Sequence, residues 1–281
     1  MVRRIFLLML ACLPLVGEVN AGVIERILYP KQKPADPKTI KVLVAKDKQG
    51  VLLEVKGKYQ LFDPNKNEYL STRFIGKRKY MQATREGLRW GEQFPDLYQI
   101  QIVPEKHATT TMIDGIEYRG TIYVYSVEGM ISVVNEVDIE DYVSSVLANQ
   151  IDEQLPGEAL AALAIAGRTL ALYQAENPQS QFWAVEAGAE GYQGAAVIHP
   201  ASPVESAINR TFHMVMSQAN DNNVIAPVPS VWSTAGAKAQ VNGMSSRITL
   251  NDAVELAKKG AHAADILMKA YPGVIIQLTH N

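Results

Sequence analysis

Three observations predict an α+β fold with its β-rich part first. Residues 39–137 alternate apolar and polar side chains in short runs cut by Gly, Asp and Lys, the two-residue period of half-buried strands. At Asp138 the apolar spacing widens to the period of a helix. Beyond Pro156 an alanine-rich stretch and a closing segment near residues 250–270 keep that helical spacing.

Taken in order, "TIKVLVA" sets Ile40, Val42 and Val44 on one face, and "GVLLEVKGKYQLF", "LYQIQIV", "GIEYRGTIYVYSVEG" and "MISVVNEV" repeat the pattern. In "DIEDYVSSVLA", Asp138 is a candidate N-cap with Asp141 three residues on, because a carboxylate there accepts backbone N–H groups that the helix leaves unpaired. Ile139, Tyr142, Val143 and Val146 form its apolar stripe. A polar elbow, "NQIDEQLP", leads to "PGEALAALAIAGRTLALYQA", where Leu160, Leu163, Gly167 and Leu170 share a face of small residues suited to close packing. Residues 182–236 lose periodicity, with turns at "NPQSQ" and "HPASP". One amphipathic helix over Leu250–Ala270 is expected to close the chain, with Val254, Leu256, Ala257, Ala261, Ala264, Ile266 and Leu267 as its apolar positions.

With 281 residues, 47% of them apolar, the chain is long enough for one large domain or two small ones. Residues 1–21 read as a secretory signal: Arg3 and Arg4 precede an apolar run from Ile5 to Val16, and Ala21 occupies the cleavage position. The run is interrupted by Pro14 and falls short of the roughly 20 apolar residues a membrane span needs; an uncleaved anchor is the alternative. Export to the periplasm or cell envelope is the expectation. Cys12, the single cysteine, lies in that segment, so the exported chain has neither a disulfide nor a thiolate ligand. Residues 22–38, rich in proline and lysine, read as a linker.

Charge divides the remainder. Residues 31–89 hold 15 Lys+Arg against 6 Asp+Glu, whereas residues 90–281 hold 9 against 21. A basic front of this kind suits an anionic wall polymer or a membrane surface, or it is a lysine-rich sheet edge that discourages aggregation. A net-acidic exported chain with no aromatic-basic motif is not expected to bind nucleic acid. Nucleophile-elbow, phosphate-loop and zinc-helix signatures are absent, and His107, His199, His213, His262 and His280 are scattered singly, so no metal and no cofactor are expected.

The run "VNEVDIEDYVSSVLANQIDEQLPGEALAALAIAGRTLALYQ" resembles, without a gap, the signature of the SpoIID/LytB family: an "EDY" helix start, a "V-V-x-S-E-M-P" elbow and an "EAL-x-A-x-A-x-AART" helix. More loosely, "GYQG" (191–194) is similar to that family's Tyr-x-Gly turn, "WSTAG" (232–236) to its Ser-x-x-Gly-Gly stretch and "NGMSS" (242–246) to its Gly-Met-Ser-Gln segment. "AKKGAHAADILMKAYPG" resembles the family's ending. The resemblance covers residues 110–275 and divides the chain into a basic β-rich region, 39–109, and a SpoIID-like domain, 110–281. The upstream region resembles less generic members, which points to a branch from non-spore-forming intracellular bacteria.

What the resemblance implies is a peptidoglycan lytic transglycosylase that acts at the division septum on glycan strands stripped of stem peptides by an amidase. One carboxyl group serves both halves of that reaction. It protonates the departing glycosidic oxygen, then takes the proton of the sugar's C6 hydroxyl as a 1,6-anhydro ring closes.

The ungapped match sets Gln150 at the family's glutamate, and an amide orients a sugar without exchanging a proton in this way. Asp152 and Glu153 are the candidate acids if the elbow is rebuilt, or else they cap the next helix. Arg168, at the family's "AART" arginine, braces the elbow, pairs with a helix carboxylate or touches the sugar's lactyl carboxylate. Tyr192, Gln193, Trp232, Ser233 and Gly236 are the other candidate substrate contacts. Trp183, Tyr192 and Trp232 offer flat faces to pyranose rings or else fill the core. Gln240 stands where many members carry a histidine, and no zinc is expected. Three functions stay open: a transglycosylase, a glycan-binding or scaffold protein that has lost the catalytic carboxyl, and an electrostatic tether between wall or membrane and a division partner.

Overall fold

Alternation along residues 39–137 becomes two sheets in the computed structural model, which describes residues 38–279 except 75, 77, 152–153, 220–224, 234–239, 242–243 and 246. The strands are β1 (Thr39–Lys48), β2 (Gly50–Lys56), β3 (Tyr59–Asp63), β4 (Glu68–Arg73), β5 (Lys79–Thr84) and β6 (Gly87–Trp90). They continue with β7 (Glu92–Pro95), β8 (Gln99–Pro104), β9 (Thr110–Ile113), β10 (Ile116–Tyr118), β11 (Thr121–Val127) and β12 (Met130–Asp138). With β13 (Val185–Glu186) they form a seven-stranded sheet, β13-β1-β12-β11-β8-β3-β4, and a six-stranded sheet, β10-β9-β2-β5-β6-β7.

The two sheets meet where β12 packs against β2 and β5. Every second residue points inward: Val51, Leu53 and Val55 on β2, Ile100 and Ile102 on β8, Ile122 and Val124 on β11 all belong to one core. Asp114–Gly115 between β9 and β10, and Glu128–Gly129 between β11 and β12, have positive φ at both residues, the backbone of a tight type I′ hairpin turn. Ladders cross the boundary at 109/110 that charge and resemblance suggest. β1 pairs with β12 from Thr39↔Asp138 to Lys48↔Ile131, and β2 with β9 from Leu53↔Ile113 to Lys56↔Thr110. The described residues on both sides of that boundary fall in one compact unit.

Burial pushes the phenols of Tyr118 and Tyr125 up to about 12, and raises Tyr123, Tyr142, Tyr192 and Tyr271 as well. A phenol that holds its proton more tightly when folded lends stability that is complete below its unfolded value of 10.0 and is lost as pH rises through the folded value. Urea midpoints should therefore fall steeply as pH rises from about 10 to about 12; a flat profile there would contradict this packing.

The switch to helix occurs as predicted. β12 runs without a loop into α1 (Ile139–Gln150), and Asp138 caps it, its Oδ1 accepting from the Glu140 N–H at 2.8 Å. Asp141 pairs with Arg119 at 3.0 Å. Burial holds the Asp138 carboxyl above its usual range, with the Glu140 N–H partly offsetting this. Asp138→Asn keeps the capping oxygen and removes the buried charge, so it should match the wild type at neutral pH, whereas Asp138→Ala should lose about 1 kcal/mol. Because the folded state takes up this proton first, the wild type should gain on Asp138→Asn as pH falls through the raised value. Urea denaturation of the three proteins at neutral and mildly acidic pH checks both expectations.

The second helix, α2 (Gly157–Glu176), is buried on nearly every side, not along one face. It packs against α1, α4 (Pro203–Arg210), α5 (Leu250–Lys258), α6 (Ala263–Ala270) and β14 (Met214–Ala219). Alanines let these neighbours approach closely, and an all-round apolar surface is what a central helix requires. Hydroxyls fasten a loop and a strand to it: Ser230 Oγ donates to Ala166 O at 2.7 Å, and the Met216 N–H of β14 donates to Thr169 Oγ1 at 2.9 Å.

The single closing helix expected over Leu250–Ala270 is corrected to two, α5 and α6. Gly260, at φ +89°, takes a left-handed turn that ends the first, and the Asp265 carboxylate accepts from the His262 N–H at 3.1 Å to begin the second. Among the described residues no helix is long and apolar enough to cross a membrane.

Candidate functional site

The two helices flanking the elbow wall one cavity of about 320 Å³. From α1 come Tyr142, Val143, Val146, Leu147 and Gln150, spaced to fall on one stripe, and from α2 come Gly167, Leu170 and Gln174. The facing wall is built by Ala189 and Glu190 of the short helix α3 (Ala187–Glu190) and by Val231, Trp232 and Ser233. The strand Trp232–Ser233 is fixed by parallel pairing with Ile248–Thr249, and the Tyr271 hydroxyl donates to Val231 O at 2.8 Å.

Polar groups converge on the turn that follows α3. Gln150 Nε2 donates to the Glu190 carbonyl at 2.6 Å, and Asn149 Nδ2 to the Gly191 carbonyl at 3.0 Å. Gly191 has φ +74°, and a Cβ there would stand 2.6 Å from Gln150 Nε2. Glycine thus supplies both the backbone angle and the room that this clamp needs. The Glu190 side chain is buried, with Gln174 Nε2 donating to its Oε1 at 3.0 Å. Gln174 Oε1 is itself buried with no donor among the described residues. Burial, with the charge of Glu190 adding to it, holds the Tyr142 phenol well above its ordinary range, so it remains a hydrogen-bond donor.

Of the residues chosen from sequence, Gln150, Trp232 and Ser233 come together at this cavity. Arg168 does not line it. Its Nε and Nη2 grip the two carboxylate oxygens of Glu140 at 2.7 Å each, and Nη1 donates to Met214 O at 3.0 Å. Of the three roles left open for Arg168, the structure gives it the pair with a helix carboxylate, Glu140, and with its guanidinium spent on protein partners it neither braces the elbow nor reaches a lactyl carboxylate in the cavity. Tyr192 is likewise interior: its hydroxyl donates to Asn135 Oδ1 at 2.6 Å and its ring lies 5.4 Å from that of Tyr142. Gln193 has an exposed side chain, and its backbone N–H donates to Ser145 Oγ at 3.1 Å. Asp152, Glu153 and Gly236 lie outside the described residues.

Glu190 and Gln174 were not chosen from sequence. Two signals pointed at them: a glutamine within an otherwise alanine- and leucine-rich buried helix, and a carboxylate directly before the "GYQG" turn. Chemically, the cavity sets aromatic and aliphatic walls beside two amides, two hydroxyls and a carboxyl, an arrangement suited to a polar ligand with an apolar face.

Fold and cavity together define a class: an α+β protein with a cavity at the elbow between two packed helices. The family follows from comparison. Residues 127–217, from the end of β11 into β14, match the SpoIID family model, described as stage II sporulation protein. An uncharacterized protein of Chlamydia pneumoniae is 39% identical over 192 residues, covering 67% of this chain and 69% of the relative. One from Chlamydia muridarum is 35% identical over 205 residues, covering 72% and 69%. A third, from Brachyspira hyodysenteriae, is 31% identical over 139 residues, covering 50% and 37%. This chain belongs to the SpoIID family, a family linked to sporulation and cell-wall remodelling, and its relatives include proteins of a genus that forms no spores.

Proposed function

We propose that the protein binds peptidoglycan glycan strands stripped of their stem peptides and cleaves them by lytic transglycosylation to 1,6-anhydro ends. The observation that carries this reading is the elbow cavity itself. It falls largely within the segment that matches the family, it holds Trp232 and Tyr142 for the apolar face of a sugar, and it holds Gln150, Gln174, Ser233 and Glu190 for hydroxyl groups. Incubating the chain from residue 22 onward with intact and with amidase-treated peptidoglycan, followed by mass spectrometry of the released fragments, tests it. Anhydro ends on the denuded substrate are expected; a protein that neither binds nor cleaves either substrate overturns the reading.

One observation favours a second reading, a glycan-binding protein without turnover. Gln150 is an amide at the family's glutamate position and is engaged as a structural donor to the Glu190 carbonyl. Binding to denuded strands with no anhydro product would select it.

Under either reading the working place is the cell envelope at the division septum, alongside an amidase, with the lysine-rich residues 31–89 meeting an anionic wall or membrane surface. Sedimentation with sacculi or anionic vesicles at low and high ionic strength checks that last element, since an electrostatic contact weakens with salt.

A further inference from the structure

We propose that Glu190 is the acid–base carboxyl of the elbow cavity, supplying from the opposite wall the group that Gln150 lacks. The inference rests on the transglycosylase reading above. Three placements support it.

Gln150 and Glu190 both line the cavity and touch where its walls meet, through the 2.6 Å bond from Gln150 Nε2 to the Glu190 main-chain carbonyl, although they stand 40 residues apart in the chain. A carboxyl moved from one position to the other therefore stays within the same cavity. Glu190 is also held firmly. The turn that carries it is clamped by Asn149 and Gln150, and its Oε1 accepts from Gln174 Nε2 at 3.0 Å. A reacting group placed by a packed helix end and by supporting hydrogen bonds keeps the geometry that proton transfer demands. Lastly, Gln174 presents a buried oxygen, Oε1, that lacks a donor among the described residues. A buried acceptor left in that state is costly, and a sugar hydroxyl entering beside Glu190 supplies the missing hydrogen.

The step balances with one carboxyl. Protonated Glu190 gives its proton to the bridging oxygen as the bond between that oxygen and muramyl C1 breaks. The resulting carboxylate then takes the proton of the muramyl C6 hydroxyl as O6 bonds to C1. The products are a free 4-hydroxyl end and a 1,6-anhydro end, no water is consumed, and Glu190 is again protonated. Gln150 keeps the turn in place and takes no part in the transfer.

The test uses the chain from residue 22 onward and amidase-denuded peptidoglycan. Glu190→Gln should lower the rate of anhydro-end formation by about 10²- to 10⁴-fold, while the variant still binds denuded strands and melts near the wild-type temperature. The exchange variant Gln150→Glu/Glu190→Gln should recover part of that loss, because it returns a carboxyl to the same cavity.

Wild-type rates in Glu190→Gln, with product lost in Asp152→Ala or Glu153→Ala, would overturn the role of Glu190 and leave the transglycosylase reading standing. A wild type that binds but never cleaves would overturn Glu190 and leave a glycan-binding protein. Neither binding nor cleavage would overturn both. If Glu190→Gln does not fold, carbodiimide labelling of the wild type decides: denuded strands should protect Glu190, and equal labelling with and without strands counts against it.

Discussion

Arg168→Ala is expected to remove about 3–5 kcal/mol of stability, the usual cost of stranding one partner of a buried ion pair. The Arg168 side chain is 1% exposed and that of Glu140 is 16% exposed, and the pair is bidentate. Deleting the guanidinium leaves the Glu140 carboxylate without its partner and also strips a donor from Met214 O. For a chain of this size the melting temperature should fall by roughly 10 °C. The companion Arg168→Met/Glu140→Leu separates charge from packing. Replacing both ends by apolar groups should restore most of the loss, short of the wild type by about the hydrogen bond to Met214. A single variant within about 1 kcal/mol of the wild type in urea would show that the pair is solvated.

Gly194→Ala should be nearly as damaging, for a different reason. Gly194 sits at φ +72°, and a Cβ there would lie 2.2 Å from the Glu117 carbonyl oxygen. That oxygen cannot swing aside, since it accepts from the Ala195 N–H at 2.7 Å. Left-handed backbone costs a non-glycine residue about 1–2 kcal/mol, and forcing backbone apart adds about 1–3 kcal/mol. Gly191→Ala meets only the flexible ends of Gln150 and Asn149, so it should melt closer to the wild type. Under the proposed transglycosylase reading its damage should surface in anhydro-end formation, because Gln150 must release the Glu190 carbonyl to make room. Melting curves and product yields for the two variants check this pair, and the reverse order of stability would contradict the packing around the "GYQG" turn.

The strand-to-helix switch at Asp138 was legible because a change of hydrophobic period and a capping carboxylate coincide at one residue. The elbow was legible because its spacing is short and ungapped. Glu190 was not, because a four-residue helix shows no period and its partner Gln150 lies 40 residues away, joined to it only by a tertiary hydrogen bond. Arg168 was legible as important but not as to its partner. Glu140 precedes it by 28 residues, and the choice between a ligand and a protein carboxylate is made by packing. In the closing segment the apolar spacing continues through Gly260, so periodicity alone joined two helices that a left-handed glycine separates. Between the sheets, alternation gave each strand but not its pairing, since β1 and β2 are consecutive and belong to different sheets.

The position of β1 between β12 and β13 bears on how the chain reaches this structure. Thr39 bonds to Glu136 across 97 residues, and Lys46 to Glu186 across 140. The first of the described strands therefore waits for partners that arrive 97 and 140 residues later, and until then both its edges are bare. Such long-range closure slows folding and lengthens the interval in which an apolar edge can pair wrongly. Lysines at 41, 46 and 48 guard that strand during the wait, since charge on an unpaired edge opposes association with another chain.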